Sequence, residues 1–260
     1  MPSNRQCFQI IVAYDGTNYV GWQMQPNGPT IQSELQSALA SLLNQTVTVI
    51  GSGRTDSGVH AIAQSAHFVT DRWSADASAL VRGMNAKLPD DIAVLDGRPR
   101  PIGFHAIADA KSKRYRYQLQ CGGPPDPIGS RHRWRIRQPL DAQKLRNAAA
   151  AVIGRRDFSS MEAAGAPRAD SIRDVVACDV DQTVDPWGRV MINIEVQANG
   201  FLYNMVRNIV GTLVWLAQSH RRISDPFAEM VRILDARDRG QAGPTAPPHG
   251  LHLLRVWYDD

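Results

Sequence analysis

The chain has few cysteines and no long apolar run, and these absences exclude several classes of protein. Its three cysteines among 260 residues are scattered, so neither a disulfide framework nor a Cys-x-x-Cys metal site is expected, and a reducing, cytoplasmic location is predicted. No run approaches the roughly eighteen apolar residues of a membrane span, and the N-terminus has no apolar signal core, so no membrane partner is expected. An apolar content of 43% with 21% charged residues is typical of a soluble globular protein.

Positive charge is concentrated in residues 98–137, where ten Lys or Arg residues stand against two Asp residues, although the whole chain carries only +4. Basic residues alternate with aromatic or apolar ones in residues 113–117 and 131–137. If the second run is a strand, its period of two places four arginines on one face. A solvated face would explain one cluster, but the interleaved aromatics favour nucleic acid as the partner. The predicted RNA-binding residues are Lys113, Arg114, Arg116, Arg131, Arg133, Arg135 and Arg137.

The predicted secondary structure repeats one order of elements. In the first half, strands are predicted at residues 8–14, 47–50, 65–69 and 92–95, with helices after Thr30 and at 77–87. In the second half, strands are predicted at 114–121, 131–137, 172–184, 190–198 and 251–258, with helices at 141–153, 201–218 and after Ser224. Apart from the extra arginine strand, each half shows β-α-β-β-α-β. This order predicts an α+β fold of two ferredoxin-like halves, residues 1–104 and 105–260, with mainly antiparallel sheets and a central active-site cleft.

A glycine-rich stretch, residues 51–58, contains the most informative carboxylate, Asp56. Three glycines in these eight residues allow a tight backbone to approach a ligand, and Arg54 lies two positions before the acid. A cation near a carboxylate favours its ionised form, and a water-poor pocket would make that carboxylate a nucleophile or a base. The structural alternative is a turn in which Asp56 bonds its own backbone.

A second charged residue stands in an apolar helix. Between residues 199 and 217 the only charge is Arg207. A helix that is apolar on most sides is buried, and breaking a buried ion pair costs about 3–5 kcal/mol. We therefore predict that Arg207 pairs with Asp56, with a purely structural salt bridge to another acidic group as the alternative.

Four motifs together resemble those of the tRNA pseudouridine synthase A family, in the same order and over nearly the whole chain. They are Tyr-Asp-Gly-Thr-Asn-Tyr-Val-Gly-Trp-Gln-Met-Gln at 14–25, Gly-Arg-Thr-Asp at 53–56, Tyr-Arg-Tyr at 115–117, and Asn-Gly-Phe at 199–201 continuing to Met-Val-Arg-Asn-Ile-Val-Gly at 205–211. The resemblance implies that Asp56 is the catalytic aspartate and Tyr115 the active-site tyrosine. It also implies that Arg54 and Arg207 bind near the substrate. Two departures are Ser57, where the family usually has Ala, and Ile107, which replaces a family arginine and removes one expected RNA contact.

The resemblance also implies an activity and partners. The expected enzyme is a homodimer that converts uridine to pseudouridine on the 3′ side of the anticodon stem-loop of tRNA. The reaction breaks the bond from ribose C1′ to uracil N1 and joins C1′ to C5, with no redox or phosphoryl step, so no cofactor and no metal are expected. Asp56 attacks C1′ or C6, or removes the C2′ proton, and the sequence does not choose among these. Tyr115 assists loss of the C5 proton or packs on the ring.

Two functions of other classes remain open at this stage. A non-catalytic RNA-binding module would use Tyr115 and Tyr117 as stacking aromatics on a ferredoxin-like sheet. A nucleoside hydrolase acting on small molecules would release free base and would have no need of the basic residues.

Overall fold

The chain divides into two units, as seen in a computed structural model that describes residues 5–163, 170–218 and 223–259. Unit 1 consists of Met1–Lys111 together with His252–Asp260, and unit 2 consists of Ser112–Leu251. The sequence-based division placed every residue after 104 in the second half. In the structure, the boundary lies a few residues later and the last nine residues belong to unit 1.

The described residues form ten strands and five helices. The strands are β1 (Gln6–Tyr14), β2 (Ile50–Gly51), β3 (His60–Thr70), β4 (Ile92–Arg100), β5 (Ser112–Cys121), β6 (Trp134–Ile136), β7 (Gly154–Asp157), β8 (Ile172–Val184), β9 (Val190–Ala198) and β10 (Leu251–Trp257). The helices are α1 (Ile31–Leu43), α2 (Ala77–Asn85), α3 (Ala142–Ala150), α4 (Met205–Ala217) and α5 (Pro226–Asp235). Within the described ranges, no helix has the length and apolar character needed to cross a membrane.

Unit 1 is a sheet with the strand order β4-β1-β3-β10. β1 pairs antiparallel with β3 and β4, β2 adds a short antiparallel pair to β3, and β10 runs parallel to β3. Helix α1 begins where the Thr30 side chain accepts the N–H of Ser33, the N-terminal cap that the sequence predicted. Its residues Ile31, Leu35 and Leu39 lie one helical turn apart and are fully buried, so they form the face of α1 that packs in the core.

Unit 2 has the strand order β5-β9-β8-β7, all antiparallel, with the short β6 parallel to β5. Helix α3 packs on α4, α5 and β8. The observed bounds of β8 and β9 coincide with the predicted ones. They are joined by a turn at residues 185–188, in which Gly188 has φ +74°. The mixed α/β architecture with mostly antiparallel pairing is thereby confirmed, whereas the ferredoxin-like character of the halves stays a prediction.

Several elements differ from the prediction for local reasons. β7 was not predicted because its residues are mostly polar, and it forms as an edge strand through pairing with β8. β2 covers two residues rather than four, whereas β4 continues to Arg100 through Pro99, which an edge strand tolerates. Helix α4 begins at Met205 rather than at 201, because Asn204 has φ +59°, a left-handed conformation that no α-helix continues through.

Candidate active site

The glycine-rich stretch connects β2 to β3 in unit 1, and residues 51–59 are called the aspartate loop below. Asp56 is half-buried in this loop. The N–H of Val59 donates to the backbone carbonyl of Asp56 at 3.1 Å, which closes a turn. Gly58 has φ +75° within this turn, a conformation that favours glycine. The loop therefore presents its carboxylate from a tight turn between two paired strands.

A buried glutamine of β3 holds the first part of the aspartate loop. Gln64 donates from Nε2 to the carbonyl of Gly53 at 2.8 Å, and the hydroxyl of Ser52 donates to Gln64 Oε1 at 2.7 Å. The N–H of Ser52 also donates to the carbonyl of Ser65 at 2.7 Å. Gln64 and Ser52 are 0% exposed, so water cannot replace these hydrogen bonds if they break. Gly53 is thus fixed just before the charged residues of the loop.

A buried tyrosine of β1 holds the residue that directly precedes Asp56. The hydroxyl oxygen of Tyr14 lies 2.8 Å from Thr55 Oγ1, and both residues are buried. Burial raises the pKa of the Tyr14 hydroxyl above its ordinary value of 10.0, so this group stays protonated at neutral pH. The support of Asp56 from β1 is therefore an uncharged hydrogen bond.

The motif at residues 14–25 packs against the aspartate loop. The N–H of Trp22 donates to the carbonyl of Thr55 at 3.0 Å, and the hydroxyl of Ser57 donates to the carbonyl of Tyr19 at 3.1 Å. Gly21 has φ +108°, and a Cβ at this position would lie 2.7 Å from the Thr55 carbonyl oxygen. Two motifs that are far apart in sequence thus form one support for Asp56.

Arg54 is exposed and lies between the two supported parts of the loop. In the part of the chain that the structure describes, its guanidinium has no hydrogen-bond or ion-pair partner, so it does not pair with Asp56. An exposed guanidinium with five donors is available to a phosphate or a base of a bound ligand.

The two tyrosines of the third motif have different environments on β5 in unit 2. Tyr115 is 8% exposed, and its ring meets the ring of Phe201 edge-on with centroids 5.1 Å apart. Tyr117 is 0% exposed, and its hydroxyl donates to the carbonyl of Pro247 at 2.7 Å. Because Tyr117 is enclosed in the core, it does not offer the exposed stacking surface that an RNA-binding module would require of it.

The arginines on either side of Tyr115 bind carboxylates of their own chain. Arg114 Nε lies 2.6 Å from Glu195 Oε2, and its Nη2 lies 2.6 Å from Asp179 Oδ2. Arg116 donates from Nε to Glu195 Oε1 at 2.7 Å, across the strand pair that places these two residues opposite each other. The predicted RNA contacts of Arg114 and Arg116 would therefore compete with ion pairs inside unit 2.

The second arginine run is a strand only over Trp134–Ile136, so the predicted strand through residues 131–137 was wrong at both ends. The N–H of His132 donates to the carbonyl of Gly129 at 3.0 Å, which turns the backbone before the strand begins. Inside β6 the expected alternation holds. Trp134 packs edge-on against Tyr117 and Ile136 is buried, while Arg135 is exposed.

The remaining basic residues are not equally available to a polyanion. Arg133 forms an ion pair with Asp126. Lys113 is half-buried and Arg131 is exposed. Arg135 and Arg137 are exposed and make no ion pair with any residue that the structure describes, which makes them the strongest candidates for phosphate contacts. The seven predicted RNA-binding residues thus differ in exposure and in ion pairing, which the sequence did not show.

Arg207 lies in the first turn of α4 and is half-buried rather than buried, which corrects the expectation from the apolar helix. Its Nε donates to the carbonyl of Ala246 at 2.8 Å, and its Nη1 donates to Asn204 Oδ1 at 2.8 Å. Both acceptors are neutral, so these contacts orient the guanidinium without cancelling its charge. Arg207 belongs to unit 2 and Asp56 to unit 1, and the ion pair between them stays a prediction.

The two histidines of β3 accept hydrogen bonds from backbone N–H groups. His60 Nδ1 accepts the N–H of Gly16 at 3.0 Å, and His67 Nδ1 accepts the N–H of Ala106 at 3.1 Å. Burial lowers the pKa of His67, which favours the neutral ring that this acceptor role requires. His60 also stacks on His252, with ring centroids 4.8 Å apart, where β3 and β10 pair.

Sequence reasoning missed Gln64 as a supporting residue. The signal was present, because a long polar side chain stands in the middle of a strand whose neighbours are mostly small or apolar. A buried polar side chain in such a strand needs hydrogen-bond partners, and only the fold shows that these partners belong to the aspartate loop.

Comparison with known proteins shows the family to which the chain belongs. The family described as tRNA pseudouridine synthase matches residues 10–107 and 148–259, which include Arg54, Asp56 and Arg207 but not Tyr115. A protein called tRNA pseudouridine synthase A from Thermoanaerobacter sp. (strain X514) is 41% identical over 249 residues, covering 96% of this chain and 98% of the relative. Its namesake from Moorella thermoacetica is 43% identical over 260 residues, covering 97% and 99% of the two chains. The namesake from Citrifermentans bemidjiense is 39% identical over 253 residues, covering 97% of each chain. The chain therefore belongs to the tRNA pseudouridine synthase family.

Proposed function

We propose that Asp56 is the catalytic carboxylate with which this chain converts uridine in tRNA to pseudouridine. Isomerisation of uridine in tRNA is the activity of the family to which the chain belongs, so the chain is an enzyme rather than a non-catalytic RNA-binding module. The observation that carries the assignment of Asp56 is the support of the aspartate loop. Gly53 and Thr55 are held by buried hydrogen bonds, while Asp56 itself remains half-buried.

The reaction suits a site with a single carboxylate. The bond between C1′ and N1 breaks, the uracil turns, C5 bonds to C1′, and the proton on C5 leaves while N1 gains one. Uracil is a stable leaving group, and no water has to be activated, so the second carboxylate of a glycosidase is not required. Asp56 attacks C1′ or C6, or removes the C2′ proton. In each case a loop fixed by hydrogen bonds limits the positions that the carboxylate can take towards the bound nucleotide.

The three other predicted residues act on the same nucleotide. Tyr115 packs on the uracil or assists departure of the C5 proton. Arg207 pairs with Asp56 and keeps it ionised, because a nearby cation lowers the pKa of a carboxyl group. Arg54 contacts the RNA backbone or occupies the space that the displaced base leaves. Its exposure and its lack of a partner among the described residues support this role.

The base must leave its stack to reach Asp56, at a cost of a few kcal/mol. Contacts to phosphates would offset part of this cost, and Arg135 and Arg137 are the best placed of the basic residues to make them. We further propose a target on the 3′ side of the anticodon stem-loop, a homodimer working in the cytoplasm without metal or cofactor, and two ferredoxin-like halves with the active site in a central cleft.

The first experiment is tritium release from tRNA labelled at uracil C5, comparing the parent chain with Asp56→Asn. Pseudouridine formation expels this hydrogen, so we expect release by the parent and a loss on the order of 10⁴-fold in the variant. Filter binding of tRNA to both proteins is the control, and unchanged affinity would locate the loss in the chemical step. Release by both proteins would show that Asp56 is structural. Base release from free uridine would indicate a nucleoside hydrolase instead.

A further inference from the structure

A segment of unit 2, residues 243–247, lies between α5 and β10 and packs closely on α4; it is called the helix clamp below. A Cβ on Gly211 of α4 would lie 1.7 Å from the carbonyl oxygen of Pro244. A Cβ on Gly243 would lie 2.8 Å from the carbonyl oxygen of Gly211. The two backbones are therefore in direct contact, and each side of the contact is a glycine because no side chain fits between them.

Hydrogen bonds fix the helix clamp along the first two turns of α4. The N–H of Gly243 donates to Thr212 Oγ1 at 3.0 Å, and the hydroxyl of Thr245 donates to Asn208 Oδ1 at 2.7 Å. The N–H of Ala246 donates to the carbonyl of Arg207 at 3.1 Å. In the reverse direction, Arg207 Nε donates to the carbonyl of Ala246. The clamp therefore supplies one of the acceptors that orient the Arg207 guanidinium, beside Asn204.

The helix clamp also contacts the strand that carries Tyr115. Its last carbonyl, that of Pro247, accepts the hydroxyl hydrogen of Tyr117 at 2.7 Å. Tyr115 and Tyr117 share one face of β5, since residues two apart in a strand point the same way. Displacement of the clamp would consequently disturb both residues of unit 2 to which we assign a role at the uridine.

The side chain of Arg239 binds both the helix clamp and α4. Arg239 donates from Nη1 to the carbonyl of Gly243 at 2.9 Å, and from Nη2 to Thr245 Oγ1 at 3.0 Å and to Asn208 Oδ1 at 3.1 Å. The planar guanidinium with its several donors reaches these acceptors on the clamp and on α4 at once. Arg239 is half-buried, and it has no carboxylate partner in the portion of unit 2 that the structure describes. Burial without a compensating anion lowers its pKa.

We infer that Arg239 is a positioning residue, which holds the helix clamp against α4 so that the guanidinium of Arg207 points in the direction that the isomerisation needs. The inference rests on the role proposed above for Arg207. Its three acceptors are neutral, and all of them belong to the clamp or to Asn208, the residue next to Arg207.

The test compares Arg239→Gln with a matched arginine, Arg232→Gln. Arg232 lies on the exposed side of α5, where it pairs with Glu229 and reaches Gln241 Oε1 at 3.3 Å. Tritium release gives kcat and KM for each variant, and filter binding gives the Kd for tRNA. For Arg239→Gln we expect kcat to fall on the order of 10- to 100-fold, the scale of a misplaced catalytic group, with little change in Kd. For Arg232→Gln we expect no change in kcat.

A double-mutant cycle with Arg207→Gln separates positioning from general stability. If Arg239 acts through Arg207, replacing it in the Arg207→Gln background lowers kcat by a smaller factor than in the parent background. Equal losses in both backgrounds would overturn the inference. If Arg239→Gln does not fold, Thr245→Val replaces it in the same cycle, because this change removes one clamp hydroxyl while keeping the shape. Full activity of Arg207→Gln would instead refute the proposed role of Arg207. This outcome is distinct from equal losses in both backgrounds, which would overturn the inference about Arg239.

Discussion

The aspartate loop of unit 1 and the helix clamp of unit 2 hold their functional residues with different kinds of group. Both rely on glycines that bring two backbones into contact, Gly21 in unit 1 and Gly211 in unit 2. The aspartate loop is otherwise held by neutral, buried side chains, whereas the clamp is held by the cation Arg239. Close contact between two backbones at a glycine is thus common to both units, and the charge of the supporting side chains differs.

The largest effect is expected when the backbone contact of the clamp is broken with Gly211→Ala. A new Cβ 1.7 Å from a carbonyl oxygen forces α4 and the clamp apart, and we expect a loss of about 3 kcal/mol in the free energy of unfolding. Gly83→Ala is the control, since Gly83 is also inside a helix but its Cβ would meet only the mobile end of Leu42. Both substitutions replace glycine by alanine inside a helix, which by itself stabilises the folded state by about 1 kcal/mol. Urea unfolding measures both, and equal stabilities of the two variants would contradict the close contact.

An effect of similar size is expected in unit 1 from Gly21→Ala. Gly21 has φ +108° and a carbonyl oxygen 2.7 Å from the new Cβ, whereas Gly103 has φ +107° with nothing within 4 Å. Gly103→Ala therefore measures the backbone strain alone, about 1 kcal/mol or more. We expect Gly21→Ala to cost about 1–3 kcal/mol beyond this value and to lower kcat, because the Thr55 carbonyl must move. Equal losses in the free energy of unfolding of the two variants, measured in urea, would show that the aspartate loop moves aside without cost.

Next in size is Gln64→Leu, which removes the hydrogen bonds to Gly53 and Ser52 while keeping the volume of the side chain. The loss leaves two buried polar groups without these partners and is expected to cost about 1–3 kcal/mol. We also expect kcat to fall more than the Kd for tRNA rises. Gln118→Leu is the matched control on β5, since Gln118 is half-buried and its Nε2 donates to Asn193 Oδ1 at a longer distance, 3.2 Å. A normal kcat for Gln64→Leu would show that Asp56 keeps its position without Gln64.

The smallest effect is expected in RNA affinity, from the pair Arg135→Gln and Arg137→Gln. If each arginine binds one phosphate, the double variant lowers the slope of log Kd against log salt concentration by about 2. The matching double variant Arg114→Gln and Arg116→Gln is expected to change the slope by less than about 1, because these residues already bind Glu195 and Asp179. A larger change for the second pair would reverse our ranking of the basic residues.

Local sequence signals predicted most elements of this fold. In α1, apolar residues at helical spacing follow a threonine cap. β8 and β9 flank a turn that contains proline and glycine. Short stretches of chain were therefore enough to predict the bounds of these elements. The aspartate loop and the Arg207 helix were also recognised, because glycines beside an acid and one charge in an apolar helix are rare combinations.

What the sequence did not predict depends on contacts between distant residues. Pairing with β5 limits β6 to three residues, and pairing with β8 makes β7 a strand. The ion pairs of Arg114 and Arg116 depend on the register between β5 and β9, which no local pattern fixes. Gln64 and Arg239 escaped notice for the same reason, since each acts only through a segment that the fold brings to it.

The placement of β10 in unit 1 has a consequence for biosynthesis. β3 is complete at Thr70, but its parallel partner β10 begins at Leu251, after the whole of unit 2 has been translated. At about 5–20 residues per second, the ribosome needs roughly 7–28 s to add the intervening Ser112–Leu251. Throughout this interval the first two residues of β3, His60 and Ala61, lack their partners on β10. Unit 1 thus leaves the ribosome first, but its sheet is completed last.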